Sequence, residues 1–319
     1  MPADVSFDVP EEELGQKPIV ATLGTKTYTI GKQLFTGDFC DIHACSVPDH
    51  VKGVSAHTWY DRLIEDEGPS TQGVLKVVRN TADNDLIANE ARILNKLFPK
   101  SEDDVKFYRY LPRLLENFQL PRSGRGASIF PLMEGYIPVA DILQAYPEGI
   151  DFRDMVWMFK RTLVGIGFAH KSGVAHGAVL PPHVLVHPIG HGAKIIDWSF
   201  AVEAGDHIHG ISGPYRDYYP PEVFDKEKAL PATDIYMAAK CVVALLGGNV
   251  QENFIPTKVP QEIRDFFEPC LAKNPARRPQ DAWDLHTEFD RLLLKLVGKP
   301  TYRPFSMPGL PANIVDSSP

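Results

Sequence analysis

Apolar and polar residues alternate through TYTIGKQLFTGDFCDIHACSV, residues 27–47, and the alternation breaks at Gly37. That is the pattern of two antiparallel strands joined by a turn. A second strand-like run, GVLKVVR, begins at Gly73, after a charged stretch containing Gly53 and Gly68-Pro69 that reads as an insertion over 47–72. DNDLIANEARILNKL changes the period: Leu86, Glu90, Ile93, Leu94 and Leu97 recur at helical spacing, with Asp83 or Asn84 placed to cap the helix. LPRLLENFQL and ASIFPLMEGY then predict two more strands, separated by 121–126.

From Asp151 the helical period dominates. DFRDMVWMFKRTLVGIGFAHKSG carries an Asp151 cap, an apolar face of Met155, Phe159, Leu163 and Ile166, and a Gly173 stop. TDIYMAAKCVVALLGG is apolar nearly all round, as a buried central helix must be. PQEIRDFFEPCLAKNP and QDAWDLHTEFDRLLLKLVG predict two more helices, the last with Ala282, Leu285, Phe289, Leu292 and Leu296 on one face. The pattern predicts an α+β molecule in four parts. These are a flexible acidic segment over 1–18, a strand-rich lobe over 19–135, a helical lobe over 136–297 and a Pro-rich tail over 298–319, with a hinge near Glu134 to Tyr136.

Composition narrows the class without naming it. The 319 residues are 44% hydrophobic, enough for a sizeable core, and carry a formal charge of −8 with no basic block. Neither a nucleic-acid surface nor an anionic-membrane surface is expected from that balance. No apolar run approaches the ~20 residues of a membrane span. The acidic N-terminus has no apolar signal core, so a cytoplasmic protein is the expectation. Cys40, Cys45, Cys241 and Cys270 lack metal-ligand spacing and read as buried free thiols.

Candidate chemistry lies in an ordered set of motifs. GVLKVVR carries Lys76, and Glu90 follows fourteen residues later. SIFPLMEGYI places Met133, Glu134 and Tyr136 after an apolar strand, and KIIDWSF places Asp197 after another. YYPPEVF carries Glu222, TDIYMAAK carries Asp234, and NPARRPQDAW carries Arg278. In this order they resemble the protein kinase family over roughly residues 28–297, which implies a bilobal kinase-like fold. The resemblance makes Lys76 and Glu90 the nucleotide-binding pair, with Met133, Glu134 and Tyr136 at the adenine. It makes Asp197 the metal-binding carboxylate, and His176, Glu222, Asp234 and Arg278 structural. ATP and Mg²⁺ are the implied ligands, and a protein is the implied partner or substrate.

Where the family writes H-R-D-L-K-P-E-N, this chain writes HGAVLPPH. His176 keeps the histidine, but Ala178 stands for the aspartate, Leu180 for the lysine and His183 for the asparagine. Ala178 cannot accept a proton, and Leu180 carries no charge for a phosphate; His183 remains a candidate metal ligand. The phosphate-covering loop keeps only Gly37 of its three glycines, with Phe35 and Cys40 at the others. One of Phe35 and Phe39 is expected in the sheet core, the other staying open. Five histidines from 170 to 191 lack helical spacing because prolines and glycines interrupt them, so a zinc site is not expected. The pattern is that of a pseudokinase, acting as scaffold or allosteric regulator. The alternative is an active divergent phosphotransferase, Ser/Thr-kinase-like or small-molecule-kinase-like, or a nucleotidyltransferase. H-G and I-D-W are similar to the aminoglycoside- and choline-kinase-like enzymes. On that alternative His176 or Asp217 would supply a base.

Overall fold

The computed structural model describes residues 5–6, 19–23, 26–47, 72–299 and 301–308. The insertion expected over 47–72 lies almost wholly outside them. The chain divides into two compact units, Met1–Glu134 and Gly135–Pro319.

The first unit is a seven-stranded antiparallel sheet in the order β1-β2-β3-β4-β5-β7-β6. Its strands are β1 (Val5–Ser6), β2 (Ile19–Leu23), β3 (Lys26–Thr36), β4 (Cys40–Ser46), β5 (Gln72–Val78), β6 (Glu116–Gln119) and β7 (Gly126–Pro131). Within the segment expected to be flexible, β1 pairs with β2, Val5 opposite Leu23. Side chains alternate across a strand, so Leu75 and Val77 enter a core with Tyr28, Ile30, Ala127 and Ile129. Lys76, between them, is directed to the opposite face.

Two helices complete this unit, α1 (Asn84–Lys96) and the short α2 (Glu102–Tyr108), the latter too brief to register as a periodic pattern. Neither expected residue caps α1. Asp83 makes no side-chain cap bond, and Asn80 instead caps the 3₁₀ turn before it, accepting from Ala82 N. Asn84 turns its amide to the strand: Oδ1 accepts from Gly126 N at 2.7 Å and Nδ2 donates to Gly124 O at 2.8 Å. A Cβ on Gly126 would lie 2.4 Å from Ile87, so glycine is what admits α1 to the start of β7. A second correction concerns the loop before β4. Neither phenylalanine is in the sheet core: Phe35 is 61% exposed, and Phe39 is half-buried.

The second unit is mainly helical, with β8 (Ile137–Pro138), α3 (Val139–Ala145), α4 (Phe152–Lys171), β9 (Val174–Ala175), β10 (Val184–Val186), β11 (Ala193–Ile195), β12 (Val202–Glu203), α5 (Pro221–Phe224), α6 (Pro231–Leu245), α7 (Gln261–Cys270) and α8 (Ala282–Val297). Asp151 caps α4 by accepting from Arg153 N, and Asp281 caps α8 by accepting from Trp283 N and Asp284 N. In α6 every residue except Pro231 and Ala244 is buried, as its all-round apolarity requires. On α8 the deeply buried positions are Ala282, Leu285, Phe289 and Leu293, while Leu292 and Leu296 are half-buried. Phe159, Phe267 and Phe289 meet edge-to-face, at 4.9–5.7 Å between ring centres, where α4, α7 and α8 converge. The four cysteines are buried free thiols. The α+β class therefore holds, with the sheet in the first unit and the helices concentrated in the second. No helix among the described residues is long and apolar enough to cross a membrane.

Candidate functional site

In the first unit β5 and α1 bring Lys76 and Glu90 together. Lys76 Nζ lies 2.9 Å from Glu90 Oε2, and the two residues are 5% and 1% exposed. Burying two charges costs several kcal/mol per ion, which their attraction repays only with good geometry. An apolar pair of similar volume would serve stability equally, so structure alone does not call for this one. The Lys76 ammonium also sits 5.1 Å from the centre of the Phe39 ring, a cation–π contact that gives this phenylalanine a role its sequence position leaves open. Gly37 closes the β3–β4 turn through a bond from its N–H to Cys40 O, and a Cβ there would lie 3.2 Å from that oxygen. Met133 is half-buried and Glu134 is exposed at the end of this unit.

In the second unit Asp234, in the first turn of α6, organises the stretch that follows β9. Its carboxylate accepts from His176 N at 2.7 Å and Gly177 N at 2.9 Å, and pairs with His170 Nε2 at 2.8 Å. Burial works to raise its pKa, but the His170 bond and charge, with the backbone donors, outweigh that and hold it low. His170 entered the sequence reading only as one of five clustered histidines, without this role. It sits in the last turn of α4, where a histidine suits the helix dipole, but its partner is 64 positions away and carries no local signal.

His176 is fully buried, and both ring nitrogens are in use. Nε2 donates to Ile196 O at 3.0 Å and Nδ1 accepts from Ala178 N at 3.2 Å, with the ring edge against Trp198. Burial pushes its pKa down to about 4, His183 adding to the shift while Asp234 and Asp197 oppose it. Gly177 has φ +74°, and a Cβ there would lie 2.7 Å from Phe200 O, so the backbone now selects glycine where the family has arginine. Ala178 and Leu180 are both 0% exposed. Their side chains are core, and neither position opens to solvent.

Asp197 follows β11 in a left-handed conformation, φ +61° and ψ +68°, a strained state for a non-glycine residue. His183 Nε2 stands 3.3 Å from its Oδ2. His183 Nδ1 is 2.9 Å from Ala178 O, which can only accept, so Nδ1 carries a proton. His183 Nε2 is thus the ring nitrogen that faces the Asp197 carboxylate. One carboxylate oxygen and one imidazole nitrogen suit a divalent ion that completes its shell with phosphate and water, although imidazole is the poorer match for Mg²⁺. Among the described residues no group of three or more His, Cys, Asp or Glu could hold a metal by itself.

Tyr136 meets His187 edge-to-face at 5.3 Å. Glu222 and Arg278 form a buried bidentate pair, Nη1 to Oε1 at 2.5 Å and Nη2 to Oε2 at 2.9 Å, and Thr233 Oγ1 also donates to Glu222. Ser199 and Ser212 are buried. Asp217 accepts from Gln251 Nε2 at 2.8 Å.

No family model matches the chain. It is 24% identical over 212 residues to serine/threonine-protein kinase F of Synechocystis, which covers 60% of this chain and 42% of that protein. It is 30% identical over 165 residues to serine/threonine-protein kinase PkaB of Streptomyces coelicolor, 42% of this chain and 38% of that one. Over 229 residues it is 26% identical to dual specificity protein kinase zak2 of Dictyostelium discoideum, 64% of this chain and 34% of that one. The chain thus spans well under half the length of these curated relatives. Among solved structures, the autoinhibited serine kinase domain of the giant muscle protein titin superposes with a TM-score of 0.62 and 18% identity, covering 88% of this chain and 84% of that one. At that identity the likeness speaks to the fold alone.

Proposed function

Because the chain belongs to the protein kinase-like superfamily, we propose that it is a pseudokinase, a domain that binds ATP without transferring its phosphate and serves as scaffold or allosteric regulator of a protein partner. The observation that carries this reading is the buried Lys76–Glu90 ion pair at 2.9 Å. It is costly to keep and unnecessary for packing, and it is the arrangement that sets an ammonium for α- and β-phosphates. Met133, Glu134 and Tyr136 would serve the adenine. Asp197 with His183 would hold Mg²⁺, whose chemistry is to neutralise phosphate charge. The strained backbone at Asp197 supports a site maintained for binding, since strain of ~1–3 kcal/mol persists only where the surroundings enforce it.

Transfer is another matter. Ala178 and Leu180 supply neither a base nor a charge, and both are sealed in the core. Losing a positioned base costs ~10²–10⁴ in rate, and losing charge stabilisation adds to that. Of the substitute bases an active enzyme would need, His176 is buried with both nitrogens committed, while Asp217 is exposed and accepts one hydrogen bond from Gln251. A thermal-shift titration tests the binding half. ATP with Mg²⁺, or ATP alone, should raise the melting temperature of the full chain, and Lys76→Met should abolish the rise. No shift with either ligand would leave a pure interaction module.

A further inference from the structure

Residues 301–308 run as an irregular segment over the second unit, across the end of α3, the first turn of α4 and the turn between β10 and β11. Phe305 is its anchor, 5% exposed, with its N–H donating to Pro188 O at 3.1 Å and its ring beside that of Tyr146. Tyr146 Oη in turn donates to Ser306 O at 2.6 Å. Arg303 reaches two carboxylates, Nη2 to Asp154 Oδ2 at 2.9 Å and Nη1 to Asp151 Oδ2 at 3.7 Å. Tyr302 donates its hydroxyl to Ile189 O at 2.7 Å and its ring lies on His191, which stacks on Trp157 at 4.2 Å. Each feature reads one element of a peptide: a carboxylate pair for a guanidinium, an apolar socket for a phenyl ring, and free carbonyls for a hydroxyl and an amide.

The fit is incomplete. Asp154 is only 5% exposed, yet its Oδ1 has no hydrogen-bond partner among the described residues, and the same holds for the buried Trp157 Nε1. Buried polar atoms are paired in roughly nine cases of ten, and an orphaned acceptor carries its full desolvation cost. Arg303 divides its two arms between two aspartates where a bidentate grip on Asp154 would satisfy both oxygens. Tyr302 stays 64% exposed. The tail therefore fills the groove without saturating it.

We propose that this groove is a docking site for a partner protein's segment of the pattern aromatic–Arg–x–Phe, and that the chain's own tail occupies it as a displaceable competitor in cis. The inference is independent of nucleotide binding, so either can fail alone.

The probe is a fluorescein-labelled peptide with the sequence of residues 301–308, titrated by anisotropy with the full chain. Arg303→Ala/Phe305→Ala removes the competitor and should bind the peptide at least about tenfold more tightly than wild type does. In that background Asp154→Asn, or a peptide with alanine in place of its phenylalanine, should lose about tenfold or more. Equal affinity of wild type and double variant, binding to neither, or indifference to the phenylalanine would overturn the proposal. Should the variant misfold, amide exchange on wild type decides: saturating unlabelled peptide should speed exchange in residues 301–308 and leave α6 protected. Unchanged exchange in the tail would mean a permanent strap and no docking site.

Discussion

Lys76 and Glu90 differ from an ordinary ion pair in being almost fully desolvated, so the two ways of removing them have opposite outcomes. Glu90→Gln or Lys76→Met alone strands a buried charge and should cost about 3–5 kcal/mol in chemical denaturation. Replacing both with apolar residues should restore much of that stability while abolishing the ATP-induced thermal shift that the proposed function predicts. At the degenerate positions the expectation is the reverse of repair. Ala178→Asp with Leu180→Lys rebuilds the family's sequence, yet it places two charges at fully buried positions. It should lower stability by several kcal/mol, read as melting temperature, and yield no transfer. His176 gives a pH dependence. Its pKa falls from 6.5 unfolded to about 4 folded, so between these values the unfolded chain binds a proton that the native one refuses. Stability is full above pH 6.5 and declines as pH falls toward 4, by a total on the order of 3 kcal/mol. His176→Gln should flatten that part of the profile.

At the level of elements, legibility in the sequence followed the range of the forces involved. The alternation through β3 and β4, the Asp151 cap and the all-round apolarity of α6 are local signals, and each produced its element. The short helices α2 and α3, seven residues each, hold too few turns to show a period. Asn84 was legible as a capping type but bonds to a strand forty residues on, a partner that no local pattern encodes. Phe35 and Phe39 were indistinguishable as sequence, and what separates them is the Lys76 ammonium above one ring. Motif order singled out Lys76, Glu90, His183 and Asp197 as candidates, whereas the His170–Asp234 bond and the docked tail emerged only in three dimensions. One glycine tests the packing of α4 on α8. A Cβ on Gly167 would lie 2.4 Å from the Trp283 indole, whose Nε1 donates to Val164 O. Gly167→Ala should therefore destabilise by about 1–3 kcal/mol, where a glycine-to-alanine change on an exposed helix face would stabilise.

For the molecule as a whole, the two units carry different parts of the family's equipment and have kept them unequally. The first holds the buried Lys76–Glu90 pair, to which the proposed reading gives the α- and β-phosphates. The second retains its frame, the Glu222–Arg278 clasp and the Asp234 tether, while core side chains fill the positions from which a base and a second cation would act. On the proposed reading, binding and transfer depend on different residues, and only those for transfer are replaced. The direct measurement is to hold γ-labelled ATP and Mg²⁺ with stoichiometric full-length chain, recover the bound label over hours and identify its chemical form. Label bound to wild type, absent from Lys76→Met and recovered as intact ATP is the result predicted. Label appearing as phosphoprotein or free phosphate at a rate that Asp197→Ala abolishes would contradict it.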